Sequence, residues 1–145
     1  MGQVPVSKTT EGLIGNAAPS FTLETALNGT MSLDKARDGK KAVLVFWATW
    51  CPHCHDAILR IQRQLADLTA KGIKVLLVDL GETREQVRDY LKYNELSMDS
   101  FVDPDAVLQD TYGVVGVPTV YFVDERGIIR AMRFGFPSSY EELFK

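Results

Sequence analysis

The sequence predicts an α/β domain: a central mixed β-sheet, partly parallel, flanked by helices, with an added β-hairpin near the N-terminus. Three observations lead there. Residues 42–48 and 73–80 are almost continuously apolar, as in strands covered on both faces. Each run is followed by a segment with apolar residues at helical spacing. Downstream, two further β-rich runs flank a turn, which adds antiparallel strands to the alternating β and α pattern.

The chain has 145 residues, within the range of about 100–200 that one domain occupies. Residues 1–14 read as an irregular lead-in and 15–145 as a single domain. Phe21 to Glu24 and Met31 to Leu33 alternate apolar and polar, and Asn28-Gly29 between them predicts a tight hairpin turn with positive φ angles. The run at 42–48 forms the first central strand. Cys54, Ile58, Ile61, Leu65 and Leu68 mark one face of a single helix, with Pro52 in its first turn and Lys71-Gly72 at its end. Residues 73–80 form the next strand. Thr83 and Gln86 make a capping-box pattern before a helix carrying Val87, Tyr90 and Leu91. Residues 100–102 form a short strand, and Asp103-Pro104 open a short helix closing at Gly113. Residues 120–123 and 128–134 pair across the turn Glu125-Arg126-Gly127. Ser138 and Glu141 resemble a capping box for a terminal helix.

Composition excludes several classes. With 46% hydrophobic and 24% charged residues, the chain is neither low-complexity nor largely disordered. A net charge of −3 gives no basic footprint for nucleic acid. No apolar run reaches the roughly 18 residues of a membrane-spanning helix. Residues 1–10 show no secretory signal pattern, and Met1-Gly2 lacks the Ser or Thr at position 6 that myristoylation wants, having Val6 instead.

The chemistry lies in the two cysteines, Cys51 and Cys54, in the motif Cys51-Pro52-His53-Cys54 between a strand end and a helix start. The thiolate is the nucleophile in disulfide exchange, and the unpaired N–H groups and dipole of a helix N-terminus favour negative charge. Cys51 is therefore expected to be the exposed attacking thiol, tuned by Pro52 and a protonated His53. Cys54, one turn further on, is expected to be the buried resolving thiol. Other uses of the pair remain open. A structural zinc site wants four ligands, and beyond the cysteines only His53, His55 and distant acids are available. Cys51 to His55 also spells the C-x-x-C-H pattern of covalent haem attachment, without a marked axial ligand, and the same three residues could bind Cu(I).

The passage from Phe46 through Trp47, Trp50 and Cys51 to Cys54, with Val117-Pro118-Thr119 downstream, resembles the thioredoxin superfamily. The segment from Gly15 to Leu23, the early hairpin and Val78-Asp79-Leu80-Gly81-Glu82 are more narrowly similar to TlpA/ResA-like thiol-disulfide oxidoreductases. The resemblance implies a thioredoxin-like sandwich with a cis peptide before Pro118. Val117 would present backbone groups to an extended substrate, Trp50 would flank the reactive thiol, and Glu82 would be an acid that tunes or deprotonates Cys54. The alternative for Glu82 is a solvated acid at a helix start. His55 reads as an exposed helix residue and Tyr90 as helix packing.

The resemblance further implies an enzyme with no cofactor beyond its cysteine pair and no metal. It would be a monomer that exchanges disulfides with protein substrates and with an upstream redox protein. It would work outside the cytoplasm, with a membrane tether possible, often as a disulfide reductase and in some relatives on apocytochrome c. Three departures stand out. Ala57 and Leu59 replace the acid and proline often found after the second cysteine. Val45 occupies the place of thioredoxin's buried acid. The Pro-His pair is that of DsbA-like oxidants, although Gly72 leads straight into Ile73 with no inserted helical domain. A peroxidase on the related peroxiredoxin fold is disfavoured, because the Pro and Thr expected before its reactive cysteine are missing.

Overall fold

The computed structural model describes residues 10–145. Thr10–Leu13 (α1) is a single helical turn. β1 (Thr22–Thr25) and β2 (Thr30–Ser32) form the hairpin, and α2 (Leu33–Arg37) follows, capped by the Ser32 side chain. Next come β3 (Lys41–Trp47), α3 (Pro52–Arg63), α4 (Leu65–Ala70), β4 (Ile73–Leu80) and α5 (Arg84–Tyr93). The chain closes with β5 (Ser100–Asp103), α6 (Val107–Thr111), β6 (Thr119–Val123), β7 (Ile129–Arg133) and a 3-10 turn, Glu141–Phe144.

All seven strands join one sheet in the order β2-β1-β5-β4-β3-β6-β7. β4 lies parallel to β3 and to β5, while β1 pairs antiparallel with β5 and β6 antiparallel with β3 and β7. The mixed sheet flanked by helices is the architecture that the sequence predicts. Strand alternation divides the core in two. On β3, Val43, Val45 and Trp47 face the layer of α3, α4 and α5 with both cysteines. Ala42, Leu44 and Phe46 face the opposite layer, with Leu33, Leu108, Tyr112 and Leu13. A strand with no solvent face therefore needs an unbroken apolar run, which is why β3 reads as one.

Several local expectations are corrected. Thr10–Leu13 is helical rather than irregular, because Leu13 is buried and anchors it; residues 1–9 of the lead-in lie outside the described residues. Neither Asn28 nor Gly29 has a positive φ. The hairpin loop is held instead by Asp99, which accepts from the Leu27 amide (3.0 Å) and the Asn28 side chain (2.8 Å). The helix after the cysteines breaks at Gln64 into α3 and α4. Asp103 is not the N-cap, which is Ala106, and the helix starts at Val107 rather than Pro104; Asp103 nonetheless accepts from the Val107 and Leu108 amides (3.1 and 2.8 Å) from outside the helix. The Ser138–Glu141 box does not form. The terminal segment is a 3-10 turn without a side-chain cap, fixed by burial of Tyr140 and Phe144. The Thr83–Gln86 capping box is present in both directions.

Candidate active site

The site lies where β3 ends and α3 begins. Trp47, the last residue of β3, is fully buried and donates its indole N–H to Ser100 Oγ at 3.0 Å. The chain then turns through Ala48, Thr49 and Trp50, and Cys51 occupies the N-cap position of α3 with Pro52 first in the helix. Pro52 suits that place because no helical donor is needed there.

Cys51 and Cys54 are joined as a disulfide. The Cys54 amide donates to Cys51 Sγ at 3.1 Å, so the sulfur takes one of the helix's unpaired N–H groups. The same contact would stabilise a thiolate once the bond is reduced. Cys51 is less open than expected, at 4% exposed against 0% for Cys54, because it packs into the core cluster with its sulfur 3.6 Å from the Val117 carbonyl oxygen. Accessibility belongs to the rim: Trp50 is 70% exposed, and Pro52 and His53 are exposed beside it. The Val117–Pro118 peptide is cis, as the sequence predicts. A groove beside the disulfide is lined by His53, Arg60, Val115, Val117, Pro118 and Phe134, with Val115 and Phe134 exposed.

Glu82 lies just beyond β4 and is buried, not solvated. Its two oxygens accept from the Thr49 amide (2.7 Å) and the Thr49 hydroxyl (2.5 Å). It thus grips the turn before Cys51. Burial works to raise its carboxyl, but interactions with Asp79 and Thr49 outweigh that and hold it below the usual range.

Asp79 escaped the sequence reading. It sits on β4 opposite Trp47, fully buried, with no donor among the described residues for either carboxyl oxygen and the Glu82 carboxyl beside it. Burial pushes its carboxyl up to about 9, and the neighbouring Glu82 adds to the rise. A signal was available: an acid in step with Ile73, Val75 and Leu77, the residues of one core face of β4.

Two minor readings also change. His55 is half-buried, and its Nδ1 lies 2.5 Å from the Tyr90 hydroxyl, so neither residue is plain packing. Tyr90 also packs against Trp47 with its ring tilted, 5.2 Å between ring centres. Among the described residues, no three His, Cys, Asp or Glu side chains come together as metal ligands.

Known proteins resemble this chain along most of its length. Thioredoxin-like protein YneN of Bacillus subtilis (strain 168) is 34% identical over 83% of this chain and 71% of its own. Thiol-disulfide oxidoreductase ResA of Bacillus cereus (strain ATCC 10987 / NRS 248) is 31% identical over 83% and 69%. A crystal structure of a putative thiol:disulfide interchange protein DsbE from Chlorobium tepidum superposes with a TM-score of 0.78 at 28% identity, covering 86% of this chain and 87% of that one. Residues 14–132 match the AhpC/TSA family. The chain belongs to that family, and within it is a thioredoxin-like thiol-disulfide oxidoreductase.

Proposed function

We propose that the protein is a reductase of protein disulfides that works outside the cytoplasm through Cys51 and Cys54, with no cofactor besides that pair. The observation that carries the reading is the position of Cys51 Sγ, beside the Val117 carbonyl and a partly apolar groove, with Cys54 wholly buried behind it. An extended substrate segment lying along Val117 brings its disulfide to Cys51.

In the reduced enzyme, the Cys51 thiolate attacks one substrate sulfur. The substrate disulfide breaks, a mixed disulfide forms, and the other substrate sulfur leaves as thiolate. Cys54 loses its proton and attacks Cys51 Sγ, releasing the second substrate thiolate and closing the Cys51–Cys54 disulfide. The substrate gains two electrons and the enzyme loses two. A donor dithiol protein then restores the reduced form.

The direct passage from α4 through Gly72 into β4 supports the TlpA/ResA-like reading over a DsbA-like oxidant, which would carry a helical insertion there. The likeness to TlpA/ResA-like proteins also supports extracytoplasmic work, possible membrane tethering and service to apocytochrome c as one substrate. The reduction potential of the couple tests the direction of flow. A value near about −270 mV supports a reductase, and one near about −120 mV an oxidant.

A further inference from the structure

We propose that Glu82 and Asp79 form a proton-controlled clamp on the turn preceding Cys51: Glu82 as carboxylate holds Thr49, and a neutral Asp79 lets it do so. Both are positioning residues, since neither touches the reacting sulfurs in the hydrogen-bond pattern. The inference goes beyond the proposed function and rests on it only in taking Cys51 as the attacking thiol.

Two geometric facts carry it. Glu82 spends both carboxyl oxygens on one residue, Thr49, which stands two positions before Cys51. The turn's other bond is the long one from the Cys51 amide to the Ala48 carbonyl, 3.3 Å. Glu82 is therefore the main side-chain tie on a segment that sets where Trp50 and Cys51 stand. The second fact is Asp79, fully buried, with no donor among the described residues for either carboxyl oxygen and with the Glu82 carboxyl as its neighbour, to which only a protonated Asp79 can donate. A buried carboxylate in that state is strongly disfavoured, so the group stays protonated.

The charges around the pair point the same way. The groups acting on Asp79 are Glu82 and Asp103, both acids. Glu82 faces Asp79, Thr49 and, on α5, Tyr90, which is bonded to His55 and also feels Asp56 on α3. While Asp79 is neutral, Glu82 is the single charge of the buried pair, and its charge strengthens both bonds to Thr49. When Asp79 ionises in alkali, two like charges share a poorly solvated space. Glu82 is the less deeply buried of the two, 9% exposed against 0% for Asp79, so Glu82 is the one displaced, and Thr49 is released.

The Thr49 amide resonance, followed by pH titration of the oxidised protein, reads the clamp without any thiol chemistry. It is expected to shift in the alkaline range in the wild type and to lose that step in Asp79→Asn, where no proton can leave. In Glu82→Gln the resonance should start from a different position and show no step. Absence of an alkaline step in the wild type, or its persistence in Asp79→Asn, overturns the clamp. If Asp79→Asn does not fold, Asp79→Leu carries the same expectation, and Thr49→Val tests the hydroxyl arm.

The positioning role is read separately, from the alkylation rate of reduced protein with the label mapped by mass spectrometry. Glu82→Gln should slow labelling of Cys51 at neutral pH by about tenfold, the scale of one charge-assisted hydrogen bond. An unchanged rate overturns the positioning role even if the resonance titrates. Label on Cys54 in place of Cys51 instead overturns the assignment of the attacking thiol, and leaves the clamp to stand or fall on the resonance.

Discussion

The carbonyl oxygen of Val117 lies 3.6 Å from the sulfur of Cys51, which joins the loop before β6 to the N-terminus of α3. Among the described residues no carbonyl makes a comparable approach to Cys54, which is fully buried. Of the two sulfurs, Cys51 is the one beside the groove that an incoming sulfur would use. Cys54→Ser should accumulate mixed disulfides with substrate proteins on Cys51, separable on non-reducing gels and removed by dithiothreitol. Cys51→Ser should accumulate none. The reverse pattern would exchange the two roles.

Trp47 and Ser100 tie β3 to β5 across the intervening β4, through the 3.0 Å bond from the indole N–H to Ser100 Oγ. Both residues are buried, so water cannot replace a lost partner. Ser100→Ala leaves the indole N–H unsatisfied and should lower stability by about 1–3 kcal/mol. The midpoint of urea unfolding, at unchanged slope, measures it. A loss well under this range would mean that the indole finds another acceptor.

How much of this was legible in the sequence depends on what fixed each part. β3 and β4 were legible because burial on both faces leaves no choice but apolar residues, as at Val43, Leu44, Val45 and Phe46. The Cys51–Cys54 pair was legible because its spacing is itself the chemistry. Local rules failed where a distant residue decides. Asn28-Gly29 suggested a tight turn, but Asp99, far along the chain, satisfies the loop's donors in a different backbone shape. Glu82 could be singled out, yet its partner, Thr49, is a contact across the strand ends that no spacing encodes. Asp79 is hidden in the sequence because one acid barely alters the apolar pattern of a buried strand.

Gly127 is the turn residue between β6 and β7, with φ at +85°. A Cβ there would also meet Arg37 Nη2 at 3.1 Å. Arg37 is itself anchored, donating to the Glu125 carbonyl at 2.9 Å and the Lys40 carbonyl at 3.1 Å. Gly127→Ala combines left-handed backbone strain, about 1–2 kcal/mol, with displacement of that guanidinium. The variant should unfold at lower urea concentration by that amount or somewhat more, with the Cys51–Cys54 potential unaltered. Stability equal to the wild type would show that the turn relaxes out of the left-handed region.

Asp79 sets a pH dependence of stability whose sign is opposite to that of an ordinary salt-bridged acid. Its carboxyl is raised from its usual value near 3.8 to about 9 in the folded protein. Between those values the folded chain holds a proton that the unfolded chain has released, so stability falls as pH rises. The cost is absent below the unfolded value and complete above the folded one. Glu82 works the other way, since its lowered value gives stability that is present at neutral pH and lost only in acid. From pH 5 to 9 the Asp79 contribution therefore falls while that of Glu82 holds steady. Unfolding free energies from urea titrations at pH 5, 7 and 9 should decline in the wild type. Asp79→Asn, which cannot ionise, should lose that part of the decline, and its advantage over the wild type should grow with pH. Parallel pH curves for the two proteins would mean that Asp79 does not retain a proton in the fold.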